Sequence, residues 1–352
     1  MRIIIITRME RNQAIHYNAC ALAFGGDYRK LEALFGGSAS WSEAWGKILS
    51  SASANIHPEK EWERLHGAGI HIVLRGEPEF PPLLEEMPHP PFAIYMKGAL
   101  PALREPAIAI VGTRKATPAG KELARKFGRE LSAGAAIVSG LAFGIDSAAH
   151  RGCLDAKGIT IAILANGLDK VYPASHENLA REILDTGGAI VSEYPIGLSP
   201  HAFRLLERNR IVSGLSRAVL VIEAPIRSGA MNTARFATEQ NREVFVAPGP
   251  AGHPHYEGSH ALIRRGATLV TKPGEIFEDL RITPENTSRS FEKDIPVLQN
   301  EELILRLVEE SGPLTIDEIV EMTTLSPSAT NQNVSVLILK NRIREEGGRY
   351  TI

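Results

Sequence analysis

The chain has 352 residues, 43% of them hydrophobic and 23% charged, a length for two or three domains and a composition that sets aside disorder and collagen-like structure. The formal net charge of −2 is unevenly spread: Lys/Arg against Asp/Glu run 11 to 12 over 1–106, 20 to 14 over 107–272 and 8 to 15 over 273–352, nets of −1, +6 and −7. A polyanion is therefore expected on the middle segment, where neutralised phosphates release condensed counterions, and not on the acidic tail.

At the start, the apolar run Ile3-Ile4-Ile5-Ile6 is closed by Thr7-Arg8, too early for a signal peptide. No apolar run is long enough to span a bilayer, so no membrane association is expected. Cys20 and Cys153 stand far apart without a CxxC partner, which implies neither a disulfide framework nor a cysteine zinc site and fits a reducing, cytoplasmic setting.

Residues 10–70 read as short helices with Gly-rich joints at Phe24-Gly25-Gly26-Asp27 and Phe35-Gly36-Gly37-Ser38, a small helical domain over 1–78. The prolines of Phe80-Pro81-Pro82 and Pro88-His89-Pro90-Pro91 make 79–106 an extended connector into a larger domain over 79–285. That domain alternates strand and helix signals. Apolar runs at 107–111, 137–138, 160–164, 189–191, 219–222 and 244–246 suit strands buried on both faces. Stretches such as 120–131 and 179–184 suit crossover helices. The fold class is α/β, an extended Rossmann-like doubly wound sheet, whose ligands lie beyond the carboxyl ends of the strands.

The residues at those ends carry the site. The first strand runs into Gly112-Thr113-Arg114, then Thr117-Pro118 as N-cap and first helical residue. Free N–H groups, a small glycine and a guanidinium suit an anion. Ser139-Gly140-Leu141-Ala142-Phe143-Gly144-Ile145-Asp146 and Gly167-Leu168-Asp169-Lys170 repeat the pattern. Each glycine taken alone also fits a plain turn, and Asp146 and Asp169 fit helix caps. No GxxxxGK[ST] is present and Gly112 does not open a GxGxxG, which disfavours an ATP or NAD site. A later block, 203–215, sets Arg204, Arg208 and, less directly, Arg210 near one another on a helix beside Asn209.

In order, Val111-Gly112-Thr113-Arg114, the 139–146 loop with Ala149-His150, Gly167-Leu168-Asp169 with Tyr172-Pro173, Ser192-Glu193-Tyr194-Pro195, Arg208-Asn209-Arg210-Ile211, Ser228-Gly229 with Thr233-Ala234, and Pro248-Gly249 resemble the central domain of the DprA/Smf (DNA-processing protein A) family. The resemblance implies a Rossmann-like domain that binds single-stranded DNA without cofactor or catalysis. It also implies a homodimer formed through that domain, and loading of RecA recombinase in natural transformation. The 1–78 segment is similar to the family's sterile-alpha-motif-like (SAM-like) domain. Expected DNA contacts are Gly112, Thr113, Arg114, Ser139, Gly140, Lys170, Arg204, Arg208, Asn209 and Arg210, with Arg114 on a backbone phosphate and one of Arg208 and Arg210 structural. His260 and Asn232 depart from the family pattern at the rim.

The alternative class is a nucleotide-hydrolysing enzyme resembling the LOG (lysine-decarboxylase-like) group, whose Pro-Gly-Gly-x-Gly-Thr loop is absent at Ser228-Gly229-Ala230-Met231-Asn232-Thr233. His253, His255 and His260 lack a further ligand for zinc and read as an exposed loop. His150 reads as a structural hydrogen-bonding residue. After a linker over 286–298, residues 299–352 read as a winged helix with helices at 303–310, 315–322 and 328–339 and a closing strand at 349–352. Its third helix contains no Lys or Arg, so contact with protein or support of a dimer is expected in place of reading of a major groove.

Overall fold

Successive residues of a strand point to opposite faces of its sheet, and in this protein both faces are apolar. Ala107, Ala109 and Val111 enter one core cluster while Ile108 and Ile110 enter another. The computed structural model describes residues 8–49, 55–98, 106–284 and part of 304–351. Two compact units divide the chain, Met1–Asn286 and Thr287–Ile352.

The first unit opens with four helices, α1 (Arg8–Ala23), α2 (Tyr28–Gly36), α3 (Trp41–Ile48) and α4 (Pro58–Gly67). Asp27 and Ser40 cap α2 and α3 by accepting from the amides of Lys30 and Glu43. Then follow β1 (His71–Leu74), the single turn α5 (Pro82–Glu85) and β2 (Ala93–Gly98). The repeating α/β part comprises β3 (Ala107–Gly112), α6 (Pro118–Leu131), β4 (Ala136–Ser139), α7 (Ile145–Asp155), β5 (Thr160–Leu164), α8 (Glu177–Asp185) and β6 (Ala189–Ser192). It continues through α9 (Ala202–Gly214), β7 (Ala218–Ile222), α10 (Gly229–Glu239), β8 (Glu243–Val246), α11 (Glu257–Arg264), β9 (Thr268–Leu269) and α12 (Pro273–Leu280).

The sheet order is β1-β2-β6-β5-β4-β3-β7-β8-β9. Strands β3 to β6 step one way from the centre; the chain then returns to place β7 on the other side of β3. Both pairings of β3 are parallel, with Gly112 opposite Ile222. This reversal between β3 and β7 is the topological switch point, where a crevice opens beyond the strand ends. α6, α7 and α12 cover one face, and α9 and α10 the other. All six strands expected from apolar runs are present, because full burial on two faces leaves an unbroken hydrophobic string.

The connector assignment needs correction. Residues 93–98 form β2, which pairs antiparallel with both β1 and β6, and Ala93 to Met96 are each at most 1% exposed. The prolines around 88–91 hid a strand that begins directly after them. The helices of the amino-terminal region are packed on this hairpin: Trp41 meets Phe92 at 5.4 Å and Tyr17 at 4.9 Å, and Tyr95 Oη donates to Asn18 at 3.0 Å.

In the second unit a helix spans Ile316–Thr323, and strands Arg344–Glu346 and Arg349–Thr351 pair antiparallel. Ile304, Leu305, Val308, Leu314, Ile319, Val334, Leu337 and Ile343 share its core. The linker expected over 286–298 and much of the helix expected over 328–339 lie outside the described residues. Among the described residues, no helix is long and apolar enough to cross a membrane.

Candidate nucleic-acid interface

The crevice at the switch point has a volume of about 430 Å³ and is walled by Gly112, Thr113, Arg114, Gly140, Asp146, Arg208, Asn209 and the 225–230 loop. Its geometry follows from close approaches. A Cβ on Gly112 would run into Ile222 O and the Ile145 side chain, and one on Gly140 into the Arg208 guanidinium. Both positions therefore require glycine for lack of room, and the turn reading of each is incomplete.

Thr113 is buried and its amide donates to Glu223 O at 2.8 Å. The next residue, Arg114, is exposed and, among the described residues, has no hydrogen-bond or ion-pair partner. Thr117 caps α6 by accepting from Gly120 N at 3.0 Å. The backbone on each side of Arg114 is thus fixed while its guanidinium is free, the arrangement that loses little entropy on gripping an anion.

Arg208 has a different place. Only 5% exposed, it donates to Gly140 O at 2.8 Å, to Ile163 O, and from Nε to Asn209 Oδ1 at 3.2 Å. It ties the ends of β4 and β5 to α9. Burial lowers its pKa to about 10, against the opposing charge of Asp146. Asp146, also buried, accepts from Gly140 N at 3.1 Å and Ala142 N at 3.4 Å. Burial raises its pKa, with Arg208 and these amides pulling the other way.

The remaining candidates scatter. Arg210 turns to the opposite side, donating to both oxygens of Glu193 at 2.5 Å and to His89 O at 2.9 Å. Arg204 donates to Ser199 O at 2.6 Å and Gly25 O at 3.3 Å, its guanidinium over Tyr194. The three arginines of α9, grouped by helical spacing, thus have three destinations. Ser139 is fully buried and donates to Ile110 O at 2.7 Å, so its hydroxyl does not face the crevice. Lys170 is exposed but lies outside the crevice lining. Asn209 lines the crevice and donates to Gly229 O at 3.2 Å, joining α9 to the mouth of α10.

Two residues that the sequence did not single out complete the site. Arg227, exposed in the loop after β7, lines the crevice. Glu223, at the end of β7 with φ +48°, is fully buried. Its carboxylate accepts from Thr117 N at 2.8 Å, from the Thr117 hydroxyl, and from Tyr256 Oη at 3.0 Å. Burial pushes this carboxyl up, but the Thr117 and Tyr256 hydrogen bonds and nearby His255 outweigh it, leaving it below the usual carboxylate range. The only sequence signal was an acidic residue ending a buried strand. The histidine loop is not freely exposed as expected: His253, His255 and His260 are half-buried, with His255 Nδ1 3.7 Å from Glu223. His150 is buried with Nδ1 2.7 Å from Thr160 Oγ1, and burial lowers its pKa to about 3.

The family model for DNA recombination-mediator protein A matches residues 71–281. Protein Smf of Escherichia coli is 42% identical over 278 residues, 77% of this chain and 74% of that protein. The X-ray structure of DNA processing protein A from Streptococcus pneumoniae superposes with TM-score 0.62 at 31% identity, covering 79% of this chain and 99% of that one. The DNA processing protein A of Helicobacter pylori, whose structure concerns its single-stranded DNA binding mode, gives TM-score 0.55 at 31% identity over 60% and 95% of the two chains. With the switch-point crevice built from the same motifs that carried the resemblance, the chain belongs to the DNA recombination-mediator protein A family.

Proposed function

We propose that the crevice between β3 and β7 binds the backbone of single-stranded DNA in a DNA-processing role, with Arg114 and Arg227 as the phosphate-gripping residues. The observation that carries this reading is the contrast among arginines: Arg208 and Arg210 are held by internal partners, whereas Arg114 and Arg227 are exposed, line the crevice and have no ion pair among the described residues. The net +6 of residues 107–272 supplies the long-range attraction. The kinship with a protein whose structure concerns single-stranded DNA binding supports the choice of ligand. On this reading Gly112, Thr113, Gly140 and Asn209 shape the crevice, Ser139 and Arg208 hold its floor, and Lys170, Arg204 and Arg210 stand outside it. The protein acts by binding, with no residue in a catalytic role.

The bound strand is handed to RecA recombinase by a homodimer formed through the α/β domain, in the cytoplasm. The decisive experiment is a gel shift with single- and double-stranded oligonucleotides across a salt series. Preference for single strands with a steep salt dependence is expected; equal affinity for duplex at moderate salt overturns the reading. RecA filament nucleation on protein-coated strands, and a concentration-dependent mass in solution, test the two partners.

A further inference from the structure

Arg114 borders a second cavity besides the crevice. This groove, of about 730 Å³, runs between α6 and α7 to the start of α8. Its walls follow from helical spacing: Pro118, Lys121, Glu122 and Arg125 lie at i, i+3, i+4 and i+7 of α6, and Gly144, Ser147, Ala148 and Arg151 repeat the series at the head of α7 and along it. The two helices approach closely. A Cβ on Gly128 would collide with Ala149 O, and one on Gly152 with Arg125 O, so these glycines let the two backbones touch.

Three features of the groove point to one ligand. Phe143 is 50% exposed and lies in the wall of this charged cavity. Its ring meets His176 edge-on, centroids 4.8 Å apart at 65°, while His176 Nδ1 is 2.8 Å from Leu141 O. The phenyl ring is therefore held at one side, with half its surface open. The cations Arg114, Lys121, Arg125 and Arg151 face only Glu122 among the lining acids. Arg125 and Arg151 are partly offset by Asp155 and Glu182, whereas Lys121 has no ion pair among the described residues. An open aromatic face flanked by cations is the recognition chemistry of unpaired bases on a phosphodiester chain. A duplex, whose bases are already stacked, cannot use the ring in this way.

We propose that the α6–α7 groove is a second binding segment for the strand held in the crevice, entered at Arg114, with Phe143 stacking on a base and Lys121, Arg125 and Arg151 meeting phosphates. This inference rests on the crevice reading above. It extends the footprint beyond the switch point and makes affinity depend on strand length.

The test is the affinity of the full chain for oligonucleotides of about six and about sixteen nucleotides, lengths within the range single-strand-binding folds cover. The proteins compared are wild type, Arg114→Ala, and a double variant carrying Phe143→Ala and Lys121→Gln, both exposed positions. Circular dichroism confirms that each is folded. The double variant should bind the longer strand roughly tenfold more weakly, the order of one base stack removed, and be unchanged on the shorter, while Arg114→Ala weakens both. A fluorescent base analogue in the longer strand should be quenched by wild type and not by the double variant. If the double variant binds both lengths like wild type, or weakens both equally, the groove is not a separate segment and the inference falls, while an effect of Arg114→Ala keeps the crevice reading. If Arg114→Ala changes neither length, the crevice reading itself has failed and the groove falls with it.

Discussion

Glu223 and Thr117 are 106 positions apart in sequence, yet the carboxylate of one takes both the amide and the hydroxyl hydrogen of the other. With Thr113 N on Glu223 O, a single residue at the end of β7 holds both ends of the segment that carries Arg114. Gly120 is part of the same fit, since a Cβ there would strike the Glu223 carboxyl.

Arg114→Ala is expected to weaken single-strand binding by about 1–3 kcal/mol, the worth of a hydrogen bond to a charged group. The slope of log affinity against log salt should fall by about 0.7 for each phosphate no longer neutralised. Arg114→Lys should restore part of the binding, because an ammonium keeps the charge without the planar fork. Salt titrations of oligonucleotide binding by the three proteins measure both effects. An Arg114→Ala protein with unaltered affinity would overturn the crevice reading.

Glu223→Gln replaces an acceptor-only group with one that must turn an amide toward two donors of Thr117. A loss of about 1.5–3 kcal/mol in stability follows from breaking hydrogen bonds to a charge, with weaker DNA binding as the 113–117 segment loosens. The sign of the pH effect is fixed by the depressed carboxyl: its stabilisation is present above the ordinary value of 4.5 and is lost as pH falls through the lower folded value. The difference in stability between wild type and Glu223→Gln should therefore shrink below pH 4.5. Taking the difference removes Asp146 and Glu193, whose raised carboxyls act in the opposite direction. A gap that stays constant through the acid range would refute this account, and chemical denaturation at several pH values supplies the data.

Arg208→Ala should act through folding. It removes the cation whose charge offsets the buried Asp146 carboxyl and leaves the Gly140 and Ile163 carbonyls without their donor, so a cost of about 1–3 kcal/mol for each buried acceptor left unsatisfied is expected. DNA affinity should decline in step with the fraction of folded protein. A fully stable Arg208→Ala protein with selectively impaired binding would instead put Arg208 on the ligand.

Removal of residues 299–352 should leave most single-strand affinity in place, because those residues carry five Lys/Arg against nine Asp/Glu, a net −4, and oppose a polyanion. A gel shift with the shortened protein decides the point; a weakening equal to that of Arg114→Ala would assign the carboxyl-terminal unit a direct role.

The parts of this molecule that could be read from sequence are those governed by neighbours along the chain. Ile108 and Ala109 belong to opposite faces, and both are apolar because both faces are covered; that signal needs no partner to be known. The same holds for Thr117-Pro118 as a helix start. Arg208 shows where such reading stops. Helical spacing groups it with Arg204, but whether its guanidinium points to solvent or to Gly140 depends on a strand end 68 positions away. Glu223 is a harder case, since its left-handed backbone and its partners Thr117 and Tyr256 exist only once three separate segments meet. Strand β2 was concealed for another reason: the proline-rich residues preceding it read more strongly than its short apolar run.

That strand has a consequence for how the protein can be divided. β6 is the outermost parallel strand on its side of the sheet, and β2 satisfies it through four registered pairs from Tyr95 opposite Ser192 to Gly98 opposite Ala189. A chain begun at Pro106 would leave that row of amides and carbonyls bare, the kind of rim that recruits foreign strands and aggregates. The β1–β2 hairpin is in this sense a selvedge, woven into the fabric it keeps from fraying.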